Sequence, residues 1–440
     1  MHVLLLGKVP PIQGGVARET WLACQDIAAA GHSVDVLTNA QAMPIGFRQM
    51  FLPGDDVSLV SGQERMHLQN IDEVPPQSYI PWAPPYFSQL MSCCLDSIER
   101  NRPGVIIGWY LEPYGVVASV IGQMFGIPVV LRHAGSDIGR MRNLGGLKGF
   151  YDWALSHAAH VITGRNQDAI EILRSASVSE TAIVRFRGRR LCDSFSQLHE
   201  EFDLRTVLEH SVDWFSQYQL EPETLNALKE WNQASQDNDG PVIGTYGKIA
   251  EVKGTYHLLD ALEHLVERGD SFCYRGIWSA TPSRLQHALG YLHRKPSLKG
   301  RVTILPPLTP WWIPAFIRSC DAVAFLENRF PIGFHGPQVP REVLACKRPL
   351  LLSREIFNKV YFRDQLAEEV NVMVAEDPQE VSAMADQISR LLNSPELRNC
   401  LGHHAGALSR ILEAKALRCD PIVDVIEDMG GYERRTQAFG

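Results

Sequence analysis

Short runs of β-branched and leucine-rich residues recur along the chain, each followed by a longer stretch whose apolar positions keep helical spacing. In the first half the runs fall at residues 2–6, 33–37, 105–109, 128–132, 160–163 and 182–186. In the second half they fall at 242–246, 272–277, 302–305, 322–326, 349–352 and 371–374. Runs that are apolar throughout, rather than alternating with polar residues, predict strands buried on both faces, hence parallel sheets covered by helices on each side. The first helix illustrates the alternation: Trp21, Cys24, Ile27 and Ala28 share a face, and Gly31 suits the exit. Twelve strands exceed one eight-stranded barrel and divide into two six-stranded units, an α/β architecture of two doubly wound domains.

The division is visible in the polar positions. Residues 198–231 read as helices with charged faces, and 233–240 is a tract of Asn, Ser, Asp and Gly before the next strand. The expected organisation is a first domain over 1–195, a helical insertion and linker over 196–240, and a second domain over 241–420, with 421–440 packing back on the first. A length of 440 residues with 45% hydrophobic and 21% charged content is enough for two cores. The net charge of -8 argues against nucleic acid as a partner, which calls for a basic field. Nine cysteines without a CxxC pair, two of them adjacent at Cys93 and Cys94, read as reduced thiols in a cytoplasmic protein. Residues 1–7 read as a first strand rather than a signal peptide, and no apolar run approaches the roughly 18 residues of a membrane span.

Four polar clusters follow strands, where open α/β sheets bind ligands. Gly14-Gly15 opens the first helix with Arg18 in its first turn. Such glycines let a ligand approach backbone, and free helix-start amides attract anions; the plainer reading is a strand-to-helix turn. His133-Ala134-Gly135-Ser136-Asp137 follows the strand at 128–132. His133 is suited to donate to a sugar hydroxyl and Asp137 to orient it, or Asp137 simply starts a helix. Gly247-Lys248 and then Lys253-Gly254 precede a helix over 256–267, and the two ammonium groups suit a diphosphate, unless both are solvated surface lysines. This is neither a Walker A loop nor GxGxxG. Finally Gly336-Pro337 leads into a helix starting near Pro340, with Glu342 able to accept from ribose hydroxyls or to complement the helix dipole. Asp237-Asn238-Asp239 has the form of a metal-holding DxD but lies in the polar linker and follows no strand, so no metal is expected.

Taken in order, these clusters resemble the family 4 retaining glycosyltransferases of the GT-B architecture, over most of the chain outside 196–240. The matching elements are Gly14-Gly15, the run from His133 to Asp137, Gly247-Lys248 with Lys253-Gly254, and the run from Glu342 to Pro349. A stretch at 182–189 with Gly188 also resembles a family segment. The resemblance implies two Rossmann-like domains facing a central cleft. It implies that Lys248 and Lys253 bind the donor diphosphate, Glu342 the nucleotide ribose, His133 the donor sugar, and Gly15 the phosphate or reacting sugar. Two departures stand out. A second glutamate common in the family, eight residues before the first, is replaced by Phe334, with Glu327 or backbone at His335-Gly336-Pro337 as substitutes. Lys248 stands where arginine is frequent, which removes bidentate phosphate contact.

The expected function is metal-independent, retaining transfer of a hexose from a nucleotide sugar, UDP- or GDP-linked, to a hydroxyl of a saccharide, lipid-linked glycan or small molecule, with no cofactor. The acceptor is expected near Gly14-Gly15 and residues 41–86, where Trp82, Tyr86 and Phe87 either stack on it or belong to the core. Arg185, Arg187, Arg189 and Arg190 form a basic knot, either a solvated patch or a peripheral membrane contact. A nucleotide-sugar 2-epimerase and a non-catalytic sugar-nucleotide-binding module remain open alternatives; a dinucleotide oxidoreductase is disfavoured by the missing glycine fingerprint.

Overall fold

The computed structural model describes the chain except for residues 56–64, 71–84, 145, 187–189, 196–200, 237, 332, 334–335, 418 and 439–440. Its strands are β1 His2–Gly7, β2 Ser33–Thr38, β3 Met66–Asn70, β4 Val105–Trp109, β5 Val129–Arg132, β6 His160–Thr163, β7 Ile183–Arg185, β8 Val242–Lys248, β9 Cys273–Ser279, β10 Val302–Leu305, β11 Ala322–Phe325, β12 Leu350–Ser353 and β13 Met373–Ala375. They form two parallel sheets, one ordered β3-β2-β1-β4-β5-β6-β7 and one ordered β10-β9-β8-β11-β12-β13. All twelve expected strands are present. The first sheet nevertheless has seven strands rather than six, because β3 (Met-His-Leu-Gln-Asn) pairs only with β2 and is too polar to stand out as a buried run.

Both sheets are covered on both faces. In β12, Leu350 and Leu352 join one apolar cluster with Val323 and Val343, while Leu351 between them joins another with Leu259 and Leu262. All three leucines are fully buried, each worth about 1.5–3 kcal/mol relative to exposure. In β1, Val3 and Leu5 pack with Trp21 and Ile27 of the helix Gly15–Ala29, and Leu4 and Leu6 are equally buried on the alternate positions.

The chain divides into two compact units, Met1–Met43 with Asp56–Arg190 and Ala416–Gly440, and Pro44–Asp55 with Leu191–Lys415. The stretch read as an insertion therefore belongs to the second unit. Its helices Leu204–Ser216 and Pro222–Ala234 turn Phe215, Leu228 and Trp231 into that unit's core, and the Asn232 side chain bonds both backbone groups of Ile304. Sequence reading weighed their charged faces and missed the opposite ones. Residues 44–55 also join the second unit. There the buried Asp55 carboxylate accepts from Leu52 N (2.7 Å), Trp311 Nε1 (2.7 Å) and Trp312 Nε1 (2.8 Å). The helix Pro421–Ala438 buries Ile422 and Ile426 in the first unit's core, and Asp420 before it pairs with the buried Arg132 at the end of β5.

In each sheet the strand order reverses beside the first strand, between β1 and β4 and between β8 and β11. Such a reversal leaves a crevice beyond the carboxyl ends of the two strands, because their outgoing loops turn to opposite faces.

Candidate functional site

In the second unit β8 pairs with β9 along all seven residues but with β11 only through Ile243 and Gly244. Beyond that point β8 is free of β11, and its end carries Gly247 and Lys248. Gly247 has φ +117, a left-handed backbone suited to glycine, and a side chain there would meet open space. The loop then returns to β11. A Cβ on Gly254, at φ +73, would lie 2.6 Å from both the carbonyl oxygen and the Cβ of Leu326, so only glycine allows the approach. Asn328 N donates to Val252 O (2.9 Å), fixing the two loops together.

This approach brings Lys253 to Glu327. The ammonium forms an ion pair with the fully buried carboxylate and lies 4.0 Å from the centre of the Phe330 ring. Burial pushes the Glu327 carboxyl above its ordinary value, and Lys253 only partly offsets it. Lys248 is exposed, yet the protein crowding its ammonium, and then the positive charges of Lys253 and Arg284, hold it below the ordinary lysine value. The helix Thr255–Glu267 begins directly after Gly254 with no side-chain cap and no acidic residue in its first turn. Two lysines, an arginine near enough to act on Lys248, an open helix start and one buried carboxylate thus meet at the ends of β8 and β11, a net positive field that favours a compact anion.

Glu342 sits in the helix Val339–Ala345. It is buried and accepts from the Tyr246 hydroxyl of β8 at 2.7 Å, so the carboxylate expected for ribose is held inside by a strand neighbour. Of the turn before that helix, Gly336 is exposed with nothing near its Cβ position, and Pro337 is buried.

In the first unit the loop after β1 reaches Gly14, at φ 106 and ψ 167, a conformation essentially confined to glycine. The helix Gly15–Ala29 starts there without a side-chain cap or a first-turn acid, and both glycines are exposed, with no atom within 4 Å of where a Cβ would stand. Arg18 is buried and gives Nη2 to the Glu19 carboxylate at 2.9 Å. Across the strand reversal, Lys8 lies 3.8 Å from the centre of the Tyr110 ring at the end of β4.

His133 follows β5. The Gly135 amide donates to its Nδ1 (3.2 Å), so that nitrogen is unprotonated and the proton rests on Nε2, which donates to Thr163 Oγ1 at 2.7 Å. Burial holds the imidazole below its ordinary pKa, and the nearby Asp137 charge only partly offsets this. The ring is therefore neutral and oriented, with its one N–H given to Thr163 Oγ1. Asp137 is fully buried and accepts from the amides of Leu111 (3.1 Å), Ala134 (3.0 Å) and Ile138 (3.1 Å), so its carboxylate ties the loop rather than facing outward.

Sequence reasoning thus singled out the loops at the ends of β1, β5 and β8 but not Arg284, Tyr246, Tyr110 or Thr163. Arg284 had a signal, since Thr281-Pro282 marks a helix start just after β9. The others come from strand pairing that no local motif reports. Asn238 of the DxD-like triplet bonds the carbonyls of Phe272 (3.1 Å) and Gly300 (3.0 Å), the work of a loop staple. Tyr86 donates to Ala42 O (3.2 Å), and Arg185 pairs with Glu180. Trp82, Arg187, Gly188, Arg189, Asp237, Phe334 and His335 lie outside the described residues. Among the described residues, no helix is long and apolar enough to cross a membrane.

No family model matches the chain. The alpha-D-kanosaminyltransferase of Streptomyces kanamyceticus is 26% identical to it over 195 residues, 44% of this chain and 47% of that protein. The chain is therefore matched over about half the length of this curated relative. Solved structures align over nearly the whole chain. Anabaena Alr3699/HepE in complex with UDP gives a TM-score of 0.57 at 14% identity, covering 99% of this chain and all of the other. Sucrose-phosphate synthase from Thermosynechococcus elongatus gives 0.59 at 15%, covering all of both chains. WaaG, a glycosyltransferase involved in lipopolysaccharide biosynthesis, gives 0.58 at 11%, covering 98% and 99%. Two parallel sheets of seven and six strands, each reversing beside its first strand, together with these likenesses, give the chain the fold of the GT-B glycosyltransferases.

Proposed function

We propose that the chain is a glycosyltransferase that moves a hexosyl group from a nucleoside-diphosphate sugar to an acceptor hydroxyl. The observation that carries this reading is the cationic crevice between the ends of β8 and β11, where Lys248, Lys253, Arg284 and the start of the helix Thr255–Glu267 share one field. Departure of a nucleoside diphosphate builds negative charge on the leaving oxygen, and fixed cations and amides at that point lower the barrier. In this reading they do the work that a divalent ion does elsewhere, and Glu342 reaches the ribose after exchanging its bond to Tyr246. Structures of HepE with UDP and with UDP-glucose support a nucleotide-sugar donor.

The crevice of the first unit, with Gly14, Gly15 and the neutral His133, is assigned to sugar and acceptor hydroxyls, with Arg18 and Asp137 holding the shape of its loops. The acceptor is a saccharide, a lipid-linked glycan or a small molecule. We assign retention at the anomeric carbon, with the leaving phosphate taking the acceptor proton. The kanosaminyltransferase, named for an alpha-D sugar, favours this stereochemistry, since common nucleotide hexoses are themselves α-linked.

The test is a thermal-shift and turnover screen against UDP, GDP and dTDP and their hexoses, with and without EDTA. A ligand that binds only the folded state raises the melting temperature with its affinity. The expected result is a shift by one nucleoside diphosphate, lost in Lys253→Ala, and an α-linked product by proton NMR. No shift by any nucleotide would end the assignment, and a β-linked product would end the retaining part of it.

A further inference from the structure

At the amino-terminal edge of the second sheet, opposite the crevice just described, lies a cavity lined by Asp321, Lys347, Arg348, Arg398, Asn399 and His403. Asp321 and Pro349 immediately precede β11 and β12, whereas Glu327 stands beyond the far end of β11. Lys347, Arg348 and Arg398 line it together with one carboxylate, Asp321. The cavity also receives the first turns of the 21-residue helix Pro395–Lys415, whose start is capped by Ser394 Oγ at Leu397 N (3.1 Å) and carries Glu396 in its first turn.

Lys347 is seated at some cost. It follows the helix Val339–Ala345 with φ +56, the left-handed position at a helix exit that glycine adopts most easily. Its carbonyl oxygen would lie 2.6 Å from a Cβ at Gly402, and its Cγ 2.8 Å from a Cβ at Gly406. The long helix therefore carries two glycines on one face, each weakening it relative to alanine, to admit the backbone and stem of one lysine. Lys347 remains an exposed residue, and what this packing fixes is its backbone and stem beside the cavity. The neighbouring guanidinium groups are held mainly by neutral carbonyls, with Asp321 as the one carboxylate facing Arg398. Arg348 donates Nη2 to Arg318 O, and its buried Nε has no partner among the described residues. Arg398 donates Nη1 to the carbonyls of Leu391 and Leu392, and its Nε lies 3.7 Å from Asp321 Oδ1.

We propose that this cavity is a second anion site, built for a phosphate group carried either as the free ion or as a phosphomonoester. It is separate from the crevice at the ends of β8 and β11 and does not depend on the function assigned there.

The experiment is isothermal calorimetry on the full chain carrying Lys248→Ala, Lys253→Ala and Arg284→Ala, which removes the cations assigned to phosphate in the other crevice. Inorganic phosphate and glycerol 3-phosphate are titrated separately. The expected result is saturable binding of at least one of them. Adding Lys347→Gly should weaken it at least tenfold while the melting temperature in phosphate-free buffer holds or rises, because glycine suits the left-handed backbone. Asn399→Asp, an isosteric change that adds negative charge, should weaken it as well. Tighter binding of the ester identifies a phosphomonoester as the ligand, and equal or tighter binding of the ion identifies free phosphate. Absence of saturable binding by either probe, or affinity unchanged by Lys347→Gly and Asn399→Asp, overturns the proposal.

Discussion

Lys253 and Glu327 join the loop after β8 to the end of β11 through an ion pair whose carboxylate is fully buried. On the proposed reading a donor diphosphate shares this ammonium with Glu327, so substitutions at the pair are expected to change both stability and affinity.

Lys253→Ala is expected to lower nucleoside-diphosphate affinity about 10- to 100-fold, the effect of one charge-assisted hydrogen bond. It should also destabilise the fold by about 2 kcal/mol, since it strands a buried carboxylate beside a partner that was itself partly exposed. Adding Glu327→Gln should recover most of the stability and none of the affinity. Urea denaturation and calorimetry separate the two effects. A double variant that binds like the parent chain would show that Lys253 serves only the fold.

The two exposed glycines of the first unit make opposite predictions. Gly14→Ala forces a side chain into a backbone region reserved for glycine and should cost roughly 1–3 kcal/mol. Gly15 has an ordinary φ and open space, so Gly15→Ala should leave the melting temperature unchanged or slightly higher. If a ligand approaches this backbone, Gly15→Ala should still reduce kcat/KM at least tenfold. Unaltered kinetics in Gly15→Ala would remove the loop from the site.

His133 carries a pH signature. Its folded pKa lies below the ordinary 6.5 because burial disfavours the charged ring. The folded state therefore binds this proton less readily than the unfolded state, and stability rises with pH through that window. The contribution is complete above 6.5 and is lost as pH falls through the depressed value. The urea midpoint should drop between pH 7.5 and 5.5 by a smaller amount in His133→Asn than in the parent chain. Equal drops in the two would mean that His133 is not held neutral.

Gly254→Ala tests the packing that aims Lys253. The new methyl would sit 2.6 Å from Leu326 O at a left-handed backbone, costing roughly 2–4 kcal/mol. Because the loop must move away from β11, nucleotide affinity should fall together with the melting temperature. Retained affinity in a destabilised variant would detach Lys253 from binding.

Much of this was legible in the chain before folding, and for a physical reason. A run such as Val105-Ile106-Ile107 has no solvated face, so it declares a central strand by itself, and a strand's carboxyl end then marks where chemistry sits. Met66-His67-Leu68-Gln69-Asn70 pairs on one side only and gives no such signal. Lys248 and His133 stand out as candidates because they end or directly follow a strand, and Lys253 because it lies in the loop leaving β8. Pairings such as Glu342 with Tyr246 or His133 with Thr163 depend on which strands become neighbours, and no local pattern encodes that. Asp137 looks the same in sequence whether it faces a ligand or backbone amides, and Arg18 whether it faces a ligand or Glu19; burial depends on the tertiary fold.

The return of the helix Pro421–Ala438 to the first sheet bears on how the chain is made. During synthesis β1 to β7 leave the ribosome long before Asp420, Ile422 and Ile426, so Arg132 lacks its carboxylate and part of the sheet stays uncovered while Leu191–Lys415 is translated. A nascent chain of this kind presents apolar surface for an extended interval, the circumstance in which chaperone shelter matters most. Cutting the gene after codon 190 would leave that surface permanently bare.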